Sequence, residues 1–481
     1  LKALETEESC WTICLECKGL GKKRRKPGKK VKLRYRKSVD QFEKTKGEGS
    51  APVQPLGPEF FCPNCNGSGL IPSDNYPVID KVIYPQVAII GGGIGGVALA
   101  VACLHRGIPF TLYERDNSFD ARAQGYGLTL QQASKVIKGL GIVSLKQGIK
   151  STRHVVYSTE GKVIVEWGLR LRKNTDAKTL AKRMNVHITR QALRLALIEQ
   201  LGGSNLIKWG HQLVDIKKRE DESVELHFEV SGKMKTDSAD LLVGADGIRS
   251  VVRMLLIGEE NNPLRYLGFI VILGICPIKN LNGFEHPLLD SATVFQTVNG
   301  NERIYVMPFS SDAVMWQLSF PMTEAEAKTL SAQGNHVLKE EACRRIQWHD
   351  PLPQILAATS EDQITGYPVY DRELLDSELL KKCGAITMLG DAAHPMSPFK
   401  GQGANQALLD ALALARSISL ACGPLSKWRE AGIRKCVLSD FESEMLIRSA
   451  SKVKDSAEAA MLLHSDIVLR EGDGPKGRSL K

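Results

Sequence analysis

No run of this chain is apolar for long enough to cross a bilayer: the longest, Phe269 to Cys276, is far short of the roughly 20 residues that a spanning helix needs. No membrane span is therefore expected. A secretory signal is missing as well, which points to the cytoplasm, or to an organelle interior if a transit peptide preceded Leu1. Net charge is nearly absent from most of the chain. The formal total is +10, but from Lys18 to Gly49 there are 14 Lys or Arg against Asp40, Glu43 and Glu48, which is +11 and leaves −1 elsewhere. The basic character thus belongs to one segment and not to the body. Aromatic residues are scarce within that segment's densest runs, Lys22–Lys30 and Lys32–Lys37, where only Tyr35 is available for stacking. A solvated loop is expected there, with contact to RNA phosphates or to a protein partner as the rival reading. What the chain does have is bulk, since 481 residues at 43% hydrophobic content suffice for about three domains with large cores.

Six of the cysteines, Cys103, Cys276, Cys343, Cys383, Cys422 and Cys436, have no metal-ligand spacing and read as buried thiols. The early ones differ. Cys14-Leu-Glu-Cys17-Lys-Gly-Leu-Gly21 is echoed by Cys62-Pro-Asn-Cys65-Asn-Gly-Ser-Gly69, so C-x-x-C-x-G-x-G occurs twice. A two-residue gap lets two thiolates reach one metal, and the glycines let backbone N–H groups turn toward the sulfurs. Cys14, Cys17, Cys62 and Cys65 then make the four soft ligands of a closed structural zinc site. The 44 residues between the knuckles exceed what a plain ribbon needs. Cys10-x-x-x-Cys14-x-x-Cys17 also has the spacing of radical-generating iron–sulfur sites, though nothing downstream supplies their barrel, and redox-active or free cysteines are a third reading. The duplicated knuckle resembles the zinc module of J-type co-chaperones. That resemblance implies a structural zinc and a protein contact surface; without a J domain it does not imply chaperone activity. Gly47–Pro58 reads as flexible chain and Pro72–Pro85 as a linker.

Val87-Ala-Ile-Ile-Gly-Gly-Gly-Ile-Gly-Gly-Val97 joins a buried strand to G-x-G-x-x-G, with Gly91, Gly93 and Gly96 in the fingerprint places. A helix is expected over Ile94–Arg106, then a strand Phe110–Glu114. Glu114 stands 23 positions after Gly91, where an acidic residue grips a ribose hydroxyl. Strand, glycines, helix, strand and terminal acid together mark a dinucleotide site. They do not distinguish NAD from FAD.

A second landmark is Leu389-Gly-Asp-Ala-Ala-His-Pro-Met-Ser-Pro-Phe-Lys-Gly-Gln-Gly-Ala-Asn-Gln-Ala407. Apolar residues at three- and four-residue intervals from Ala404 to Ala415 predict a helix starting after Gly401-Gln-Gly403 and ending at Cys422-Gly-Pro424. Its N-terminus would offer unpaired N–H donors and about half a positive charge to an anionic group. Asp391 ends the preceding strand, Ala385–Leu389, and could hold a hydroxyl-rich group. A third landmark, Ala239 to Arg253, is a strand ending in Asp246-Gly-Ile-Arg249-Ser.

In this order the three landmarks resemble class A flavoprotein monooxygenases of the para-hydroxybenzoate hydroxylase fold, over about residues 85 to 465. Tyr113-Glu-Arg-Asp-Asn117 with Ala121-Arg122, and Ile188-Thr-Arg190-Gln-Ala-Leu-Arg194, look closest to the tetracycline-inactivating subgroup. The implied fold class is α/β: a Rossmann-like FAD-binding domain interleaved with a β-sheet substrate domain, a C-terminal helix, and the small N-terminal zinc ribbon. The implied boundaries are 1–75 for the zinc module; 84–154, 180–262 and 375–424 for the FAD domain; 155–179 and 263–374 for the substrate domain; and 425–470 for the C-terminal helical segment.

By the same resemblance Gly91, Gly93 and Gly96 line the pyrophosphate, and Glu114 and Arg115 face the adenosine. Arg122 and Arg190 lie along the cofactor, Asp391 contacts the ribityl or phosphate side, and Gly401, Gly403 and Asn405 edge the flavin pyrimidine. Asp246 and Arg249 belong to the motif that touches FAD and helps to place reduced nicotinamide. Read from residue types alone, Asp246 could instead cap a turn and Arg190 pair with a carboxylate. The implied reaction uses NAD(P)H to reduce FAD and dioxygen to form a C4a-hydroperoxide, whose outer oxygen passes to an aromatic or polyketide-like small molecule. No protein nucleophile is required, and no catalytic residue is assigned. His394, in the flavin loop, and His187 read as structural. Strands are expected near 155–157, 162–167, 266–276, 293–298, 304–307 and 314–320, with Phe295, Met307, Met315 and Phe320 inward, and helical structure over 324–348. A halogenase of the same fold would carry W-x-W-x-I-P, which is absent. The rival from another class is an RNA- or protein-binding factor whose flavin domain is a redox sensor or scaffold.

Overall fold

Five short strands form a wholly parallel sheet in the order 207–208, 110–113, 87–90, 241–244 and 386–388. Strands covered on both faces are apolar throughout, and Val87–Ile90 and Leu241–Gly244 are buried at every residue. The helix Ile94–Leu104 is buried along its whole length. It packs against the helix Gly403–Ala421. The two landmarks that the sequence separates by some 300 positions therefore start neighbouring helices. The structure, a computed structural model, describes residues 10–45, 48–122, 125–131, 133, 136–168 and 185–470. The Arg122 side chain, and residues 169–184 at the junction of two expected domain segments, lie outside that description.

A second sheet has seven strands in the order 163–168, 153–157, 293–298, 303–310, 313–321, 265–277 and 364–371. All pairings are antiparallel except that of 153–157 with 293–298. Side chains alternate between its faces. Phe295, Val306, Trp316 and Phe320 pack against Leu338, Leu352 and Ile355 of the covering helices. Met307 and Met315 lie in a separate apolar cluster with Val271, Val294 and Val369. Strand 127–130 pairs with 186–189, which also pairs with 149–150. The expected C-terminal helix runs Ser439–Leu463.

The helical structure expected over 324–348 is present as two helices, Glu324–Ala332, opened by a Thr323/Glu326 capping box, and Asn335–Arg345, with Gly334 between them. Two expectations change. The basic run is not one loop: Lys22–Arg24 is a strand paired with Glu59–Phe61, and Lys29–Lys44 is a helix none of whose residues is buried. Its Lys, Arg, Leu, Gln and Glu residues are good helix formers, and Gly28 takes the N-cap position. Solvation was legible there; the helix was hidden by attention to charge. The linker is also fastened. Pro72 and Ser73 pair with Trp11 and Cys10, Asp80 N–H donates to Gly107 O, and Trp428 Nε1 donates to Ile83 O at 2.8 Å.

The N-terminal module is thereby held against the half of the molecule built on the parallel sheet. Arg416, on the helix Gly403–Ala421, donates from Nε to Gly19 O at 3.1 Å and from Nη2 to Ser68 O at 3.3 Å. Arg106, just past the helix Ile94–Leu104, donates to the same Gly19 carbonyl at 3.4 Å. Arg106, two residues past the end of the helix Ile94–Leu104, also stands where the helix dipole favours a cation.

Candidate functional site

Gly91 leaves the first parallel strand at φ +108°, and a Cβ there would stand 2.5 Å from Ala245 O. Only glycine lets the strand Leu241–Gly244 and its following turn come so near. Glu114 Oε2 accepts from Gly92 N–H at 2.7 Å, and Oε1 accepts from Asp116 N–H, so the terminal acid of the second strand is tied to the glycine loop. Gly93, Gly247 and Gly401 all line one large cavity. A Cβ on Gly247 or Gly401 would meet nothing within 4 Å, and one on Gly93 only Arg190 Nη2 at 3.9 Å. Three glycines from three distant segments thus leave open a space that side chains would fill. That cradle, with a helix N-terminus beside it, fits a phosphate-bearing cofactor. Arg190 lines the same cavity, while Arg115 is exposed.

The other loop is braced from behind. Asp410 is fully buried; its Oδ2 accepts from Gly390 N–H at 2.9 Å and meets His394 Nε2 at 2.7 Å, and its Oδ1 accepts from Arg448 Nη2 at 2.7 Å. Burial pushes its carboxyl up, but His394 and Arg448 outweigh that and hold it below the usual range. His394 is therefore a structural tie, as expected. Asn405 is saturated too: Nδ2 donates to Thr129 O and Gly401 O, and Oδ1 accepts from Gln131 and Ala133 N–H. An amide has two donors and two acceptor positions, so Asn405 is fully used in holding the loop to strand 127–130. Asp391 is exposed to the cavity it lines, with its Oδ1 3.2 Å from where a Gly403 Cβ would be. Burial raises its pKa, and His394, Arg190 and Arg253 pull the other way. Asp246 behaves as the turn cap: its carboxylate accepts from Ser250 Oγ and from the Val251 and Val252 N–H groups. Gly96 packs against Gly91 O, inside the loop.

The cavity, about 1110 Å³, continues from these loops to the open face of the seven-stranded sheet, where Met307, Met315, Tyr305, Gln296, Gln317 and Arg303 line it. Gly127 N–H approaches Met315 Sδ at 3.0 Å. His187 is buried and satisfied by Thr129 Oγ1 at 3.0 Å and Ser151 Oγ at 2.8 Å. Burial lowers its pKa to about 3 and that of His154, stacked on Trp167, to about 4. Both stay neutral, so neither adds charge to the cavity at neutral pH. Arg303, Gln296 and Gln317 were missed in the sequence. Their signal was strand alternation: Arg303 and Tyr305 share a face with Met307.

In the N-terminal module Cys14, Cys17, Cys62 and Cys65 are buried, with their sulfurs all within 4.8 Å of one another. Cys14 Sγ is 3.9 Å from Cys62 Sγ, and Cys17 Sγ 3.7 Å from Cys65 Sγ. The last glycine of each knuckle donates its N–H to the second cysteine, Gly21 to Cys17 and Gly69 to Cys65, both at 3.2 Å. A side chain on either glycine would strike the opposite knuckle's backbone. Cys10 stands outside the cluster, opposite Ser73 in a strand pair, which removes it from the ligand set.

A family model described as FAD binding domain matches residues 84–423. Aurachin C monooxygenase/isomerase of Stigmatella aurantiaca is 29% identical over 69% of this chain and 80% of its own length. 6-Hydroxynicotinate 3-monooxygenase of Pseudomonas fluorescens is 24% identical over 81% of this chain and 93% of its own. Among solved structures, Klebsiella pneumoniae HpxO complexed with FAD and uric acid superimposes with a TM-score of 0.64, at 21% identity, covering 80% of this chain and 90% of that one.

Proposed function

This chain belongs to the FAD binding domain family, and from that premise we propose that it is an FAD-dependent monooxygenase that uses NAD(P)H and dioxygen to hydroxylate an aromatic or polyketide-like small molecule. The observation that carries the reading is the single cavity shared by Gly93, Gly247 and Gly401 on one side and by Met307 and Met315 on the other. A cofactor and an apolar substrate can meet in such a space. The relatives described as monooxygenases support the same chemistry.

The bound flavin supplies activation of dioxygen with electrons from the nicotinamide. The chain's own residues bind and orient it. Gly93 and Gly401 leave room for its backbone-hugging portion, Glu114 stands beside the glycine loop, and Arg190 and the Gly403 helix N-terminus offer positive potential to its anionic parts. Asp391 is a carboxylate open to the cavity beside the glycine loop of the Gly403 helix, and it can accept a hydroxyl hydrogen bond. Apolar walls at Met307, Met315 and Val294 limit water near the reacting atoms. Resemblance to the tetracycline-inactivating subgroup keeps polycyclic phenols within the substrate class. The purified protein should be yellow, and a substrate should accelerate NAD(P)H consumption and oxygen uptake together. A colourless protein that binds RNA with steep salt dependence would favour the binding-factor reading instead.

For the cysteine cluster the proposed ligand is Zn²⁺. Four thiolates at a Zn–S distance of ~2.3 Å define a tetrahedron with edges of ~3.8 Å, and the Cys17–Cys65 and Cys14–Cys62 sulfur separations, 3.7 and 3.9 Å, bracket that edge. Its role is structural, since a closed site has no open position. Elemental analysis with the cysteines reduced should find one equivalent; less than half would count against it.

A further inference from the structure

Four buried thiolates around one Zn²⁺ carry a formal charge of −2, and a charge taken out of water needs partners. Part of the offset is local. Gly21 and Gly69 N–H groups donate to the Cys17 and Cys65 sulfurs, and Asn64 Nδ2 donates to Cys14 Sγ at 3.3 Å. Lys23 lies within electrostatic reach of Cys14 and Cys62, but it is tied to Glu16 at 3.1 Å, so that pair adds no net charge.

The flavin half supplies two cations. Arg106 is 4% exposed, and Arg416 is half-buried. Among the described residues neither is paired with a carboxylate, and Arg106 Nε has no hydrogen-bond partner. Burial lowers the pKa of Arg106 to about 9 and that of Arg416 to about 10, so each is charged at neutral pH. Arg416 also repels Arg106, whereas the Cys17 thiolate attracts both and the Cys65 thiolate attracts Arg416. Two neighbouring guanidinium groups taken out of water without a counter-charge are strongly unfavourable. The anionic sulfurs are the counter-charge within reach.

One peptide group connects them directly. Arg416 Nη2 donates to Ser68 O at 3.3 Å, and the N–H of the same peptide, that of Gly69, donates to Cys65 Sγ at 3.2 Å. A guanidinium on the oxygen polarises the peptide and makes its N–H a stronger donor to the thiolate. On the other knuckle Gly19 O accepts from both arginines, at 3.1 Å from Arg416 Nε and 3.4 Å from Arg106 Nη2. Arg416 therefore bridges the two knuckles. We propose that Arg106 and Arg416 complete the metal site from the flavin half: their two positive charges neutralise the zinc–tetrathiolate group, so that zinc affinity belongs to the docked molecule and not to the N-terminal module alone. This rests on the zinc reading. Both arginines are positioning residues, since each acts through backbone carbonyls of the knuckles.

The test dialyses the full-length holoprotein, with its cysteines reduced, against graded concentrations of a zinc chelator and measures the retained zinc by elemental analysis. Arg416→Met and Arg106→Met should each bind zinc at least tenfold more weakly than wild type. Arg416→Lys, which keeps the charge, should stay within about threefold of wild type, whereas Arg416→Gln, which keeps a donor without the charge, should fall with Arg416→Met. Arg24→Met, at an exposed ion pair of the same module, should leave zinc affinity within about twofold. Bound FAD and far-ultraviolet circular dichroism show whether each variant is folded, and where a Met variant does not fold the comparison of Lys with Gln decides. Wild-type affinity in the Met variants, or a Lys variant as weak as the Gln one, overturns the charge proposal and leaves the zinc site standing. A wild-type chain that retains no zinc overturns the zinc reading and this one with it.

Discussion

Asp410 shows how a side chain can govern a cofactor loop without facing the cofactor. Its two oxygens join Gly390, His394 and Arg448, and so tie the flavin loop to the helices Gly403–Ala421 and Ser439–Leu463. Removing one partner of a buried charged network typically costs about 3–5 kcal/mol, so Asp410→Ala should lower the unfolding free energy by that order in chemical denaturation. Its pH dependence has a fixed sign. The folded-state carboxyl is held below the ordinary value of 3.8, so the contribution is present above that value and is lost as pH falls through the folded pKa. Wild type should lose stability in acid below about pH 4, and Asp410→Asn should flatten that part of the profile. Of this network only Gly390 to His394 stood out in the sequence. Asp410 was one of many polar residues in an Ala-rich helix, and Arg448 lay in another helix altogether. Asn405 was legible as a motif residue, but its partners at Thr129 and Gln131 are some 270 positions away, so its bracing role was not.

Among the elements, the two loop-to-helix junctions were the most legible, because glycine patterning and the onset of helical periodicity are local signals. Less legible was the consequence that both helices begin at one cavity. Gly93 lets that be tested. Its backbone is extended, at φ −76° and ψ −174°, and its Cβ position faces open space, so Gly93→Val should fold at a cost of about 1 kcal/mol for a poorer N-cap. The valine would occupy the cradle, and FAD affinity measured by absorbance titration should fall at least tenfold. Unchanged affinity would take the cofactor away from this junction. The basic helix Lys29–Lys44 marks the opposite outcome. Charge density suggested an unstructured loop, yet helix propensity is carried by the same lysines and arginines, and it won.

The whole molecule is more integrated than its sequence segments. Residues 10–73 looked like an appended ribbon, but Trp11 packs beside Gly141 and His105, and Arg106 and Arg416 grip the knuckle carbonyls from the two flavin helices. Such long-range docking has no local sequence signature. Hydrogen bonds from a charged donor are worth about 1.5–3 kcal/mol each, so Arg416→Met, which removes two, should lower the melting temperature by several degrees in calorimetry. A module that only hangs from a tether would leave that temperature unchanged. The central claim concerns the cavity between the two sheets. Its most direct test is to incubate the purified flavoprotein with NAD(P)H, a panel of aromatic and polyketide-like small molecules and isotopically labelled dioxygen, and to follow the label by mass spectrometry. A labelled oxygen atom in a product is the predicted result; a protein that binds no FAD, or that consumes NAD(P)H without labelling any compound in the panel, would contradict it.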